Sequence, residues 1–287
     1  MSRGADLRAG AETLAGHLPP LLAEAEHLAQ TVVLGDHGRR RAGLGSLFWQ
    51  YRPAQPTDSA RRIDWRRSAR TDAHFVQEKE WQIAQTVTLW VDPGASMSFG
   101  TGDVTKAGRA RLLALALGIL LLRGGERVGL GTPACPALPG QGQVNRLAEE
   151  LHEESGEDYA APHARAMPSR SRAVFLSDFM GDVTRVEGAL TEAADRGVKG
   201  ALLQVLDPQE EAFPFDGRTI FESMTGALRH ETLKAGDLRT RYLDRLAERR
   251  ERLRRLARRT GWQFQTHRTD ESATAALLWL HGAVGGR

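Results

Sequence analysis

Two short stretches of the sequence place oxygen-bearing side chains at spacings suited to ligand chemistry. One is Asp92-Pro93-Gly94-Ala95-Ser96-Met97-Ser98, and the other is Ser177-Asp178-Phe179. A carboxylate followed by hydroxyls at alternate positions can hold a hard divalent cation through oxygen ligands, if a second carboxylate arrives from a neighbouring strand. The same aspartates can equally cap the turn or helix after each strand. From these residues alone both readings stand.

Other reactive patterns are missing. The sequence has no G-x-x-x-x-G-K-[ST] loop, no H-E-x-x-H, no G-x-S-x-G and no G-x-G-x-x-G. Its nine histidines are scattered without metal-ligand spacing. The one cysteine, Cys135, excludes a disulfide framework and a thiolate metal cluster, and it reads as a structural thiol. Nothing in this inventory argues for an enzyme.

The elements that must position the two aspartates follow from periodicity. Residues 86–92, 127–132, 172–178, 199–207 and 262–268 form short apolar or β-branched runs. Helical patterns separate them, at Leu112–Leu122, 144–154, 186–196 and Asp237–Thr260, and one closes the chain near Ala273–Leu280. Continuous apolar strands alternating with helices predict a mostly parallel α/β sheet covered on both faces. Residues 219–224 and 227–233, joined by Thr225-Gly226, read as a β-hairpin insertion. In such sheets ligands bind at the carboxyl ends of strands, where Asp92 and Asp178 fall.

The first 83 residues read differently. A helix is expected from Pro20 to about Ala29, then a Gly/Arg-rich arm with Arg39-Arg40-Arg41. Leu47–Trp81 is rich in tryptophan and arginine, poor in aliphatics, and reads as irregular. The expected division is an appendage at residues 1–83 and an α/β domain at residues 84–287.

Charge and hydropathy bound the partners. Of 287 residues 41% are hydrophobic and 26% charged, which excludes a disordered chain. The formal charge is +3 and the sequence pI about 9.3. Between Arg249 and Arg259 seven arginines are interleaved with leucines at helical spacing, a solvated helix face more than a nucleic-acid site. The run Leu112–Leu122 is too short for a membrane span, which needs about 20 residues. With no apolar segment near the N-terminus to act as a secretory signal, the expectation is a soluble cytoplasmic protein.

One region carries a more specific pattern: Tyr51-Arg52-Pro53, then Asp58-Ser59-Ala60-Arg61-Arg62-Ile63-Asp64-Trp65, then Ser68-Ala69-Arg70-Thr71, followed by the strand that ends at Asp92. This resembles the bacterial family called domain of unknown function 58, whose hallmark is a D-x-x-R-x-I-D-W box followed by an S/A-A-R-T element. The family's second half is similar to a von Willebrand factor A domain, a Rossmann-like fold built around a metal-ion-dependent adhesion site. The resemblance implies that Asp92 is the first metal-site aspartate, Ser96 the second serine and Asp178 the distal aspartate, with Mg2+ or Mn2+ as the cation. Two positions depart from the pattern. Gly94 stands where the first serine belongs, and residues 133–165 hold no threonine to supply the loop ligand.

For Asp58, Arg61, Ile63, Asp64, Trp65, Ser68 and Arg70, two roles remain open. An Arg61–Asp64 pair clamped under the Trp65 indole can fix the segment against the sheet domain. Alternatively Arg66, Arg67 and Arg70 point outward as a docking face. The resemblance implies a non-enzymatic interaction protein that works with a MoxR-type AAA+ ATPase. A metal-dependent hydrolase at the strand ends and a basic nucleic-acid adaptor are the alternatives.

Overall fold

The computed structural model describes residues 20–33, 48–55, 58–70, 73–79, 84–151, 157–227 and 229–285. The Arg39–Arg41 arm, Thr71 and Trp81 lie outside them. The chain divides into two compact units at Gly35/Asp36 and Ala84/Gln85.

Helix α1 (Pro20–Val33) belongs to the larger unit, which corrects its expected place in the appendage. Leu22, Ala25, Leu28, Ala29 and Val32 recur every three or four residues and form one apolar stripe. That stripe is buried in the core of the sheet unit.

The smaller unit is more regular than its composition suggests. Strand β1 (Phe48–Pro53) pairs antiparallel with β2 (Phe75–Lys79), from Phe48 opposite Lys79 to Pro53 opposite Phe75. Between them sit a single 3-10 turn (Ala60–Arg62) and the short helix α2 (Trp65–Ser68). Backbone pairing needs no aliphatic side chains, so this pair escapes a hydrophobicity pattern. Pro53, lacking a donor, sits at a strand end where none is missed.

In the larger unit five parallel strands stand in the order β4 (Arg127–Leu130), β3 (Thr86–Val91), β5 (Arg172–Ser177), β6 (Lys199–Leu206), β9 (Gln263–Arg268). This is the α/β architecture expected. The hairpin is present too, as β7 (Thr219–Glu222) with β8 (Arg229–Thr232). Successive residues of β5 face opposite sides. Val174 and Leu176 join one core with α1, α3 (Lys106–Arg123), α4 (Gly142–Glu150) and α8 (Ala273–Gly285). Ala173 and Phe175 join the other, with α5 (Val183–Asp195) and α7 (Gly236–Thr260). Every residue from Leu112 to Leu122 is buried, because α1 and α8 pack against α3 as well. A helix apolar all round must be covered all round. Helix α7 stops at Gly261, whose φ of 72° only glycine adopts without strain.

Candidate functional site

Strand order reverses direction between β3 and β5: from β3 the chain passes to β4 on one side, then to β5 on the other. Such a switch point opens a crevice at the carboxyl ends of the two strands. Asp92 follows β3, and Ser177-Asp178 closes β5, so the topology brings the predicted residues together.

Asp92 is 3% exposed and its oxygens are engaged. Oδ2 accepts a hydrogen bond from Ser177 Oγ at 2.6 Å, while Oδ1 accepts from Gly94 N at 2.8 Å and Ala160 N at 3.3 Å. Burial pushes its carboxyl from 3.8 up to about 6, against the pull of the Ser177 and Gly94 hydrogen bonds. Ser177 Oγ in turn accepts from Phe179 N, and Asp178 Oδ1 accepts from Met180 N. Both aspartates therefore organise their own turns.

The centre of the site is a residue that sequence reasoning missed. Lys106, 1% exposed, points its ammonium between two carboxylates, Asp178 Oδ2 at 2.7 Å and Glu210 Oε1 at 2.6 Å. Burial opposes the ammonium, but the two carboxylates overcome that and hold its pKa above the usual lysine value. Burial raises Glu210, with Lys106 pulling the other way. Glu210 also completes a capping box on the short helix α6 (Pro208–Ala212), where its Oε2 accepts from Asp207 N. A signal was present in the sequence. Lysine in the first turn of a helix opposes the helix dipole, and an apolar helix opening this way needs compensating acids.

A strap from Glu157 to Ala160 closes the crevice. Ala95 N donates to Glu157 O and Ser96 N to Asp158 O, each at 2.9 Å. The Asp158 carboxylate reaches the hairpin, where it accepts from Thr225 N and Oγ1. A Cβ at Gly94 would meet Asp158 O at 2.7 Å and Asp92 Oδ1 at 2.9 Å. Gly94 is therefore the residue that lets the strap lie down, and a serine there has no room. Beneath it Ser96 Oγ is buried without a hydrogen-bond partner among the described residues.

These residues do not fit a divalent cation. Asp178 is neutralised by an internal ammonium, Asp92 is saturated by neutral donors, and the strap occupies the space a serine at position 94 would need. Among the described residues no three His, Cys, Asp or Glu side chains converge to hold a metal ion. Of the acids that topology brings nearby, Asp103 is exposed while Asp207 and Asp182 are spent on other work. Asp207 accepts from Thr101 N and Oγ1, and Asp182 caps α5 through Thr184 N.

The arginines of α7 also differ from a plain solvated face. Arg249 donates to Phe179 O and Gly181 O, both at 2.6 Å, and so supports the left-handed Phe179 (φ 52°) just after Asp178. Arg252 makes a two-pronged pair with Glu187, and Arg250 pairs with Glu211.

In the smaller unit the expected Arg61–Asp64 pair under an indole does not form. Asp64 instead caps α2 through Arg67 N at 3.0 Å and accepts from Tyr51 Oη at 3.0 Å, and these bonds hold its carboxyl below the usual range. Asp58 pairs with Arg52 through two hydrogen bonds of 2.6 and 2.7 Å. Arg61 is exposed, and Trp65 is 56% exposed with its ring edge against His74. Ile63 bridges to Val76, and Ser68 Oγ links Asp64 O to Phe75 N. The box is thus a local fold in which Asp58, Ile63, Asp64 and Ser68 are structural while Arg61, Trp65 and Arg70 face outward.

With this geometry in view, the comparisons are specific. Residues 50–252 match the family described as Protein of unknown function DUF58, and the chain belongs to it. Among relatives, Uncharacterized protein Rv1480 of Mycobacterium tuberculosis (strain ATCC 25618 / H37Rv) is 28% identical over 262 residues, covering 86% of this chain and 82% of that one. Uncharacterized protein Mb1516 of Mycobacterium bovis matches to the same extent. Solved structures with a likeness include an aerotolerance-related membrane protein from Bacteroides fragilis and conserved hypothetical protein BatB from Bacteroides thetaiotaomicron. Each shares 14% identity and a TM-score of 0.44, over 71% of this chain and all of the other. Among the described residues, no helix is long and apolar enough to cross a membrane.

Proposed function

We propose that this protein is a non-enzymatic protein-interaction module that serves a MoxR-type AAA+ ATPase, with a metal-independent site at its strand ends. The observation that carries this reading is Lys106 buried between Asp178 and Glu210. With Asp178 and Glu210 matched by Lys106, and Asp92 held by the Ser177 hydroxyl and two backbone amides, the site offers no ready ligand set for Mg2+ or Mn2+, which supports reading it as scaffold. The von Willebrand factor A-like ancestry and the ATPase partner come from the family resemblance. The strand-end face meets a partner through its cover, since Asp92, Ser96 and Asp178 are each at least nine-tenths buried while Tyr159 on the strap is 36% exposed.

Capture of the tagged full chain from its native cell tests the partnership. Recovery of an AAA+ ATPase is expected, and its consistent absence overturns the assignment. Calorimetry with Mg2+ and Mn2+ on wild type and Asp92→Ala tests the site. No heat from either protein is expected, whereas saturable binding by wild type that Asp92→Ala abolishes would restore the adhesion-site reading.

A further inference from the structure

A pocket of about 460 Å³ opens within the smaller unit, lined by Tyr51, Asp64, Arg66, Arg67, Arg70 and Phe75. Its three arginines do different work. The Arg67 guanidinium lies 4.2 Å from the centre of the Tyr51 ring and 5.5 Å from that of Phe75, so it forms a fixed cationic wall. Arg66 and Arg70 are exposed, and their side chains form no hydrogen bond or ion pair with any described residue. Four residues apart around a single helical turn, they present two planar donor forks to the same concavity. The charge is local as well. Asp36–Ala84 carries ten arginines and lysines against six acids, a charge of +4, when the whole chain carries only +3.

We propose that this pocket receives an acidic segment of a protein partner, with Arg66 and Arg70 as the carboxylate clamps. The inference deepens the interaction-module reading and rests on it. Guanidinium matches a carboxylate through two parallel hydrogen bonds, and it is more weakly hydrated than an ammonium, so an exposed arginine loses its water on binding at lower cost than a lysine does. Nucleic acid fits the same walls poorly. The Tyr51 face that a base would stack on is covered by Arg67. Asp64, kept ionised in the lining, repels a continuous run of phosphates but tolerates side-chain carboxylates placed one at a time.

Fluorescence anisotropy on the full chain tests this with three labelled probes: (Glu-Gly)4, (Gln-Gly)4 and a twelve-nucleotide oligothymidylate. Wild type is expected to bind (Glu-Gly)4 and not (Gln-Gly)4. The double variant R66A/R70A should lose at least tenfold in affinity, while R61A/R239A, which removes the same charge from exposed positions outside the pocket, stays within about twofold of wild type. Matching circular dichroism spectra confirm that the variants fold. Failure of wild type to bind (Glu-Gly)4, equal losses in both double variants, or tighter binding of the oligothymidylate through Arg66 and Arg70 overturns the proposal. Peptide binding without ATPase capture removes the partner assignment and leaves the pocket standing; the reverse result removes the pocket.

Discussion

Lys106 and the pair Arg66/Arg70 are cations in opposite circumstances. Lys106 is sealed at the switch point of the sheet with two carboxylates in contact, and the Arg66 and Arg70 side chains stand exposed at a pocket with no partner among the described residues. A buried charge is tolerated only when paired, so the first arrangement holds the fold together and has little left to offer a ligand. An exposed, unpaired guanidinium contributes almost nothing to stability, so its placement is free to serve recognition. On the reading proposed above, the part of the chain that most resembles a ligand site by sequence is structural, and the arginine-rich box serves recognition.

The sharpest way to break this contrast is Lys106→Met. It leaves Asp178 and Glu210 buried without a cation, and about 3–5 kcal/mol of stability should be lost at pH 7 in urea unfolding. A loss under 1 kcal/mol would show that the ammonium is not the counter-charge of the site.

Next in size is a pH effect with two opposed sources. Asp92 has its carboxyl raised from 3.8 to about 6 by burial, so its contribution is full below pH 3.8 and is lost as pH rises through 6. His267, 2% exposed, is lowered from 6.5 to about 4 by burial and then by Arg109, so its contribution is full above 6.5 and is lost as pH falls through 4. Each amounts to about 3 kcal/mol, and between pH 4 and 6.5 they cancel. Relative to wild type, Asp92→Asn should therefore gain stability as pH rises across that window, and His267→Phe should lose it. Parallel curves for all three proteins would contradict both assignments.

Gly94→Ser, which supplies the serine that the adhesion-site resemblance expects there, should cost about 1–3 kcal/mol because the Asp158 backbone must move. Calorimetry on this variant should still detect no Mg2+ binding; a new saturable heat would mean that the missing serine alone had silenced the site. Smallest of all, Arg66→Ala and Arg70→Ala should each change stability by less than about 0.5 kcal/mol in thermal melts.

Much of the fold was legible because covered parallel strands and amphipathic helices leave periodic traces. The runs ending at Asp92, Asp178 and Asp207, the hairpin and the long α7 could all be read that way. The appendage was harder, since β1 and β2 are joined by backbone bonds and since α1, contiguous with it in sequence, packs elsewhere. Within the site, Asp92, Ser96 and Asp178 could be read from local spacing. Their partners could not: Lys106 lies 72 residues from Asp178 and 104 from Glu210. Nor could the strap, whose Ala160 contacts Asp92 across 68 residues.

The sequence by itself determined the α/β class, the family box and the presence of acids at two strand ends, because these rest on local periodicity and adjacent residues. Only the tertiary structure decided what those acids do. Burial makes an unpaired charge costly, and the fold meets that cost with a lysine from another helix and a strap over Gly94, contacts that no local spacing encodes.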